Sequence, residues 1–509
     1  MSVDRYRSVI PEWERFLEHA RRPEPTTLRV RTGRIEPDEL ADRLRRRGFG
    51  LEEVPGLDAV FRVTEEPYSA AQTLEHWMGL FYIQQAVTSV AAPALGARPG
   101  DRVLDLCAAP GGKTTHLADR IAGGGIVVAN DPDEGRIRAL LGNVYRLAHA
   151  NVLVTRSDGR NLPESALFDR VLVDAPCSAE GNLRAREGRI PEPDPGFRRG
   201  TTELQTELLR KAVRVTRPGG AILYVTCTFA PEENEAVVDR VLRDGRAEVV
   251  PIDLDLPHSP GLRRFEGRAY HPSLETAWRL YPHHLDSGGL FLCRLRRKGG
   301  PQAGTGRAQR SGARWRGPAA GTGGAGGNGA ASRRAGEPGG DREATAEPGA
   351  ADHGWGPVPR VFPGRDTPAE RAAERTEAGR EVLARDLGVP SGALERLGWI
   401  QRGKSVWAHG IDRWPLAGWG DPPEGGWRLI SVGLRGFKRD PRMGERPTND
   451  LLRLLGPAIS RGRLELPPRT WETLLKHRRV DWQEVDREEV DREEVGDGGA
   501  SPRDRPAGI

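Results

Sequence analysis

A doubly wound α/β sheet is the fold class this sequence predicts, and three observations predict it. Val103 to Leu106 form a short apolar run, Pro110-Gly111-Gly112 force a turn, and Thr114 to Ile121 read as a helix. Strand-like and helix-like segments alternate from residue 97 to residue 298. The strand-like segments are apolar throughout, as strands covered on both faces must be. A strand, a glycine turn and a helix in succession place a cofactor site at the carboxyl end of the strand. The glycines let the backbone approach a ligand that a Cβ would hold off.

Taken in order, residues 1–96 read as a small α/β module. Pro11 to Ala20 is a helix, Thr27 to Arg31 a strand, and Pro37 to Arg47 a helix with Leu40 and Leu44 one turn apart. Val60 to Val63 is a further strand. In the 97–298 domain, strands fall at Val103–Leu106, Ile126–Asn130, Val152–Thr155, Arg170–Val173, Ala221–Val225 and Leu290–Leu295. Helices fall at Asp133–Ala148, Thr201–Thr216 and Glu232–Arg243, with Pro218-Gly219-Gly220 ending the second. Residues 299–358 are Gly, Ala, Arg and Pro, too poor in apolar side chains to offset the entropy of ordering. As a flexible linker they would reach roughly 40 Å. Residues 359–480 form a second unit, with a helix at Ala369–Leu387, a strand and turn at Val432–Phe437, and Trp407, Trp414, Trp419 and Trp427 among basic residues. Most of these tryptophans suit a core. Residues 481–509 form a solvated acidic tail opened by a direct repeat at Glu484–Glu488 and Glu489–Glu493.

The whole chain sets further bounds. Its 509 residues allow two to four domains, and 37% hydrophobic residues allow globular cores. Mean hydropathy is −0.58, and no apolar run is long enough to span a bilayer. The first residues lack the apolar core of a signal peptide. The four cysteines, Cys107, Cys177, Cys227 and Cys293, form no CxxC pair, which argues against a disulfide scaffold or a zinc site and suits a reducing cytoplasm. A formal charge of +5 is compatible with a nucleic-acid partner.

Gly112-Lys113-Thr114 fit the end of a phosphate-binding P-loop, but Cys107 holds the place of its first glycine, and no G-x-G-x-x-G is present. Three further stretches decide the reading. They are Val171-Leu172-Val173-Asp174-Ala175-Pro176-Cys177-Ser178, then Leu223-Tyr224-Val225-Thr226-Cys227-Thr228 with Pro231-Glu232-Glu233-Asn234-Glu235, then Arg279-Leu280-Tyr281-Pro282-His283 with Gly288-Gly289-Leu290-Phe291. With the Val103–His116 stretch and the Gly79–Gln85 lead-in, they resemble, in order and spacing, the motifs of the Sun/Fmu-type (Nop2/Sun) RNA cytosine-5 methyltransferases. The resemblance covers nearly all of residues 79–297. Ala179 stands where that family usually has glycine, and Arg31 where it usually has asparagine. Residues 359–480 resemble the PUA-like domain of RsmF-type ribosomal RNA methyltransferases.

That resemblance implies a Rossmann-like class I methyltransferase domain, with a mostly parallel seven-stranded sheet, between an N-terminal RNA-binding module and a PUA-like RNA-binding domain. It implies S-adenosyl-L-methionine as cofactor, no metal, and RNA as substrate, namely small-subunit (16S) rRNA or the 30S subunit. A cytoplasmic monomer away from membranes is expected. Carbon 5 of cytosine is a poor nucleophile; a thiolate added at carbon 6 makes it able to attack an electrophilic methyl, so one hard step becomes two easier ones. By the family pattern Cys227 is that nucleophile, Asp174 contacts the cytosine ring, and Cys177 assists release of the adduct. The cofactor would lie over the turn Cys107, Ala108, Ala109, Pro110, Gly111, Gly112 and Lys113, near Asp174. Asp131 is placed for the ribose hydroxyls and Asp158 for the adenine edge. Cys107 and Cys293 read as inert. A DNA cytosine-5 methyltransferase would instead use the Pro-Cys cysteine, Cys177, and the Thr-Cys motif argues against it. A non-catalytic ribosome-assembly factor would not need Cys177, Cys227 and Asp174 intact.

Overall fold

The computed structural model describes residues 3–165, 167–186, 195–299, 355–359, 369–402, 404–415, 428–442 and 444–461. Most of the expected linker, Trp419, Trp427 and the acidic tail lie outside the described residues.

An antiparallel sheet of four strands builds the N-terminal module. These are β1 (Thr27–Val30), β2 (Gly50–Glu53), β3 (Val60–Glu65) and β4 (Phe81–Ile83), in the order β2-β3-β1-β4. The helix Pro37–Arg45 begins on proline, whose missing N–H costs nothing in a first turn, and buries Leu40, Ala41 and Leu44 against the sheet. Arg29 and Arg31 reach out of this module to the 97–298 domain. Their guanidinium groups lie 2.8 and 3.4 Å from the Asp119 carboxylate, with all three side chains buried or nearly so. Residues 3–21 do not join this sheet. The helix Trp13–Arg21 presses Phe16 edge-on to Phe229 and Tyr281, and the Tyr6 hydroxyl donates to Glu180 at 2.8 Å. The buried residues of 86–95 likewise pack beneath the sheet of the 97–298 domain, ahead of the boundary expected at 96.

Five parallel strands form the centre of the 97–298 domain. They are β5 (Arg102–Asp105), β6 (Ile126–Asn130), β7 (Val152–Arg156), β8 (Phe168–Asp174) and β9 (Thr216–Thr226). With the antiparallel strand Leu290–Arg297 beside β9 and Trp278–Leu280 beside that one, they make the seven strands expected. Three short strands widen the sheet to ten. Apolar side chains on its two faces fill two separate cores, as a sheet covered on both sides requires. The turn expected at Pro218-Gly219-Gly220 is instead a distortion inside β9: Phe168 pairs with Thr216, but Arg170 pairs with Ala221, so the extra residues bulge.

The strand Arg428–Val432 is the tenth. It pairs antiparallel with the free edge of β7, placing Leu429 opposite Thr155 and Val432 opposite Leu153. Gly433, at φ +57°, then turns the chain back into a four-stranded sheet of Gly398–Arg402, Ser405–His409, Leu434–Asp440 and Gly444–Pro447. The stretch expected as a strand and turn at Val432–Phe437 therefore straddles two strands of different sheets. The helix Ala369–Leu387 has the bounds the sequence gives it. Trp355 is buried, its indole N–H donating to Leu167 at 2.9 Å, and Trp414 is buried beside it through the Trp355–Gly356 and Trp414–Pro415 pairing.

Leu429 is 3% exposed and belongs to the core on one face of the ten-stranded sheet. Leu429→Ala is expected to cost about 2–5 kcal/mol and to speed amide exchange along Val152–Arg156. Unchanged exchange there would mean that this strand does not stabilise the sheet edge.

Candidate active site

The parallel ladder between β8 and β9 sets Asp174 opposite Val225, so both strands end level. Cys177 follows the end of β8 and Cys227 the end of β9. Their sulfurs lie 3.4 Å apart, within thiol hydrogen-bond reach. Both side chains are partly exposed, whereas Cys107 and Cys293 are buried. The Lys113 ammonium, from the first turn of the helix Gly112–Arg120, meets Asp174 at 2.7 Å.

The remaining motif residues hold this pair in place. Glu233 accepts the Ser178 N–H at 2.9 Å and the Gln205 amide at 3.1 Å, fixing the loop after Cys177. Asn234 donates to the Thr228 carbonyl at 2.9 Å, fixing the loop after Cys227. Arg279 pairs with Glu235 and donates to the Phe229 carbonyl at 3.0 Å, all buried. The Gly181 N–H donates to the Cys227 carbonyl at 2.8 Å, and the Gly181 carbonyl accepts from Gly289 at 2.9 Å. A Cβ at Gly181 would stand 2.4 Å from the Gly289 oxygen, so only glycine lets the three loops meet. Ala179 adopts φ +55°, a left-handed conformation that costs a side chain about 1 kcal/mol and glycine almost nothing.

Burial and charge set the order of acidities. A hydrogen bond from Cys177 holds the Cys227 thiol below its usual value, and the Lys113 ammonium adds to this against burial and Asp174. The same contact, with burial, pushes the Cys177 thiol well up. Burial alone would lower Lys113, but Asp174 more than offsets it and the ammonium is retained. Burial raises the Cys107 and Cys293 thiols, in keeping with inert side chains.

The 107–113 turn wraps over the ends of β5 and β6. Gly111 sits at φ +107°, where a Cβ would strike Leu140. Asp131, fully buried after β6, accepts the N–H of Ala109 at 3.3 Å and of Asp133 at 3.0 Å. Asp105 is a residue the sequence reading did not single out. Its Oδ2 accepts from Thr114 at 2.7 Å, while its buried Oδ1 has no hydrogen-bond partner. A donor-bearing, cationic ligand seated in the turn suits that orphaned oxygen and the Asp131 carboxylate, which fits an adenosyl amino acid. Asp158 caps the turn Gly159–Asn161 and is paired with Arg160, which depresses its carboxyl. Asn182, also not singled out, points its amide nitrogen at the Cys227 sulfur from 3.9 Å. Among the described residues no cluster of three or more His, Cys, Asp and Glu could hold a metal ion, and no helix is long and apolar enough to cross a membrane.

Residues 92–296 match the family described as 16S rRNA methyltransferase RsmB/F. The chain is 33% identical over 308 residues to a human 28S rRNA (cytosine(4447)-C(5))-methyltransferase, covering 59% of this chain and 38% of that protein. It is 31% identical over 309 residues to ribosomal RNA small subunit methyltransferase F of Erwinia tasmaniensis, covering 58% and 62% respectively. The chain thus spans less than two thirds of these curated relatives. A methyltransferase homolog protein from Pyrococcus horikoshii superposes with a TM-score of 0.53 at 34% identity, over 58% of this chain and 93% of that one.

Burial pushes the Asp105 carboxyl up to about 7. Between about pH 4 and pH 7 the unfolded chain has therefore lost this proton while the folded chain keeps it, so stability falls as pH rises through that window. Asp105→Asn is expected to flatten this slope. Urea midpoints at pH 5 and pH 7.5 for both proteins measure it, and parallel slopes would contradict the assignment.

Proposed function

We propose that this chain, which belongs to the 16S rRNA methyltransferase RsmB/F family, methylates carbon 5 of cytosine in ribosomal RNA through a covalent adduct at carbon 6. The observation that supports this most is the pairing of Cys227 and Cys177 at 3.4 Å beside the Lys113–Asp174 ion pair. S-adenosylmethionine, held by the 107–113 turn and Asp131, supplies the electrophilic methyl when bound.

The contact with Cys177 and the Lys113 ammonium both favour the thiolate of Cys227, which is the nucleophilic form. Its sulfur attacks carbon 6 of a cytosine that has left its stack. Asp174 would hold the base in register at the ring edge, and the Lys113 ammonium beside it would offset the negative charge that builds there. After methylation carbon 5 must lose its proton. Cys177 stands next to the same bond and, once its own proton has passed to solvent, takes the carbon-5 proton as a thiolate; the carbon 5–hydrogen electron pair restores the 5,6 double bond as the carbon 6–sulfur bond breaks and returns its pair to Cys227. The Thr-Cys motif and the Lys113 ammonium acting on Cys227 favour these roles over the exchanged ones.

The substrate proposed is small-subunit rRNA, and the N-terminal sheet and the C-terminal unit, read as PUA-like, add surface for it. Large-subunit rRNA is the second reading, favoured by the 33% identity to the human 28S enzyme. Mapping 5-methylcytosine in both rRNAs, with and without this protein, separates the two, and a map unchanged in both would refute the proposal.

Two variants test the chemistry. Cys227→Ala should abolish methylation and leave no covalent RNA complex. Cys177→Ala should instead accumulate a protein–RNA adduct, visible as a slow band on a denaturing gel. The opposite pattern would exchange the roles, and normal methylation by both would sink the covalent mechanism. For the cofactor, Asp131→Ala should weaken S-adenosylmethionine binding about tenfold, since one charge-assisted hydrogen bond contributes about 1.5 kcal/mol. Calorimetry giving an unchanged affinity would remove Asp131 from the site.

A further inference from the structure

Beside Cys227 lies a chain of polar groups that the mechanism above does not use. Glu24 sits at its far end. Its Oε1 accepts from the Ser287 hydroxyl at 2.7 Å and from the Gly288 N–H at 2.8 Å. Its Oε2 accepts from the Gln85 amide nitrogen at 2.7 Å. The same Gln85 nitrogen donates to Asn182 Oδ1 at 3.3 Å. Asn182 Nδ2 then points at Cys227 Sγ from 3.9 Å.

The direction of each bond follows from its anchor. An ionised carboxylate accepts hydrogen bonds and donates none. Gln85 must therefore turn its NH₂, not its carbonyl, toward Glu24. The second proton of that NH₂ faces Asn182, which must answer with its oxygen. The Asn182 NH₂ is thereby left facing the sulfur. An amide flip, which would set a carbonyl against Cys227, would also set the Asn182 NH₂ against the NH₂ of Gln85. The backbone enforces the approach, because Gly181 lies against the Cys227 and Gly289 carbonyls with no room for a Cβ.

We propose that Asn182 is a further catalytic residue, whose amide donates to the Cys227 thiolate, and that Glu24 and Gln85 are positioning residues that fix which way this amide faces. A donor at this place favours the anion over the neutral thiol, and it also stabilises the same sulfur as the leaving group when the adduct breaks. The proposal rests on the reading of Cys227 as the nucleophile. The other titratable or charged groups acting on Cys227 are Cys177, Lys113 and Asp174.

The test is the pH dependence of Cys227 alkylation by iodoacetamide in the full-length protein, with the modified cysteine identified by peptide mass. Asn182→Ala should move the midpoint upward and slow alkylation at pH 7 about three- to tenfold, the size of one hydrogen bond to a charged group. Asn182→Asp, nearly the same shape, should move it further, because a carboxylate then faces the sulfur. Glu24→Gln should move it in the same direction by less, since its amide no longer dictates how Gln85 turns. Thermal unfolding in parallel separates these shifts from misfolding. An unchanged midpoint in both Asn182 variants, with native melting, would overturn the role of Asn182. A shift with Asn182→Ala and none with Glu24→Gln would overturn only the positioning chain. Adduct formation by Cys227→Ala would instead overturn the underlying reading of the nucleophile, so the two failures are distinct.

Discussion

The ladder between β8 and β9 sets the geometry on which the site depends. Asp174 pairs with Val225, and the Ala175 N–H still donates to the Val225 carbonyl at 3.0 Å. Pro176 has no N–H to continue the ladder, so the chain turns away there and presents Cys177. One strand over, β9 runs only to Thr226 before Cys227. Two loops that start nearly level, on neighbouring parallel strands, put the third residue of one beside the first residue of the other. A register slip of one residue would send the inward side chains of either strand to the opposite face and separate the sulfurs. The apolar faces of both strands are filled against the two cores, and this holds the register.

Holding two thiols together in a half-buried place has a cost, and the surrounding polar groups meet it. Burial disfavours every charged form here, so an anion at Cys227 needs a donor and a cation close by. The Cys177 thiol, 3.4 Å away, can donate to it, and Lys113 is the cation. Lys113 keeps its charge because Asp174 faces it at 2.7 Å. Farther out, the Arg279–Glu235 pair is a poor source of net stability, since both ions were taken out of water. What it contributes is position: it ties the strand Trp278–Leu280 to the Phe229 carbonyl and to the loop after Cys227. Removing either partner would leave a buried charge unpaired, which is far worse than the pair.

The strand–turn–helix units were legible in the sequence because their signals are local. Ile126–Asn130 and Ala369–Leu387 have the same bounds in both readings, and the four motif stretches meet at one sheet edge. Features set by distant partners were not legible. Arg428–Val432 reads as any short strand, and nothing near it shows that its partner is β7. Arg29 and Arg31 read only as residues of the strand Thr27–Arg31; the fold shows them turned to Asp119. Asn182 left one indirect sign, the glycine before it, whose need becomes plain only when the Gly289 carbonyl is seen against it. Asp105 was counted as part of an apolar strand, and its half-satisfied carboxylate is invisible without the third dimension.

The sheet edge also changes what the C-terminal unit can do. A unit held only by a linker of the expected length would sample orientations freely, and any second contact to RNA would act through local concentration alone. The ladder from Leu153 to Val432 removes most of that freedom. The Ser431 hydroxyl meets Tyr145 at 3.1 Å, and Arg34 of the N-terminal module donates to the Leu454 carbonyl at 2.9 Å. Arg453 lies over the Trp77 ring at 5.1 Å. The N-terminal module, the helix Glu134–Arg146 and the C-terminal unit are thus tied to one another at fixed positions relative to the two cysteines. A rigid second surface does more than raise affinity. An RNA that touches it can present a cytosine to Cys227 only if the distance between the two points matches, so the proposed selection among ribosomal cytosines becomes a matter of shape as well as charge.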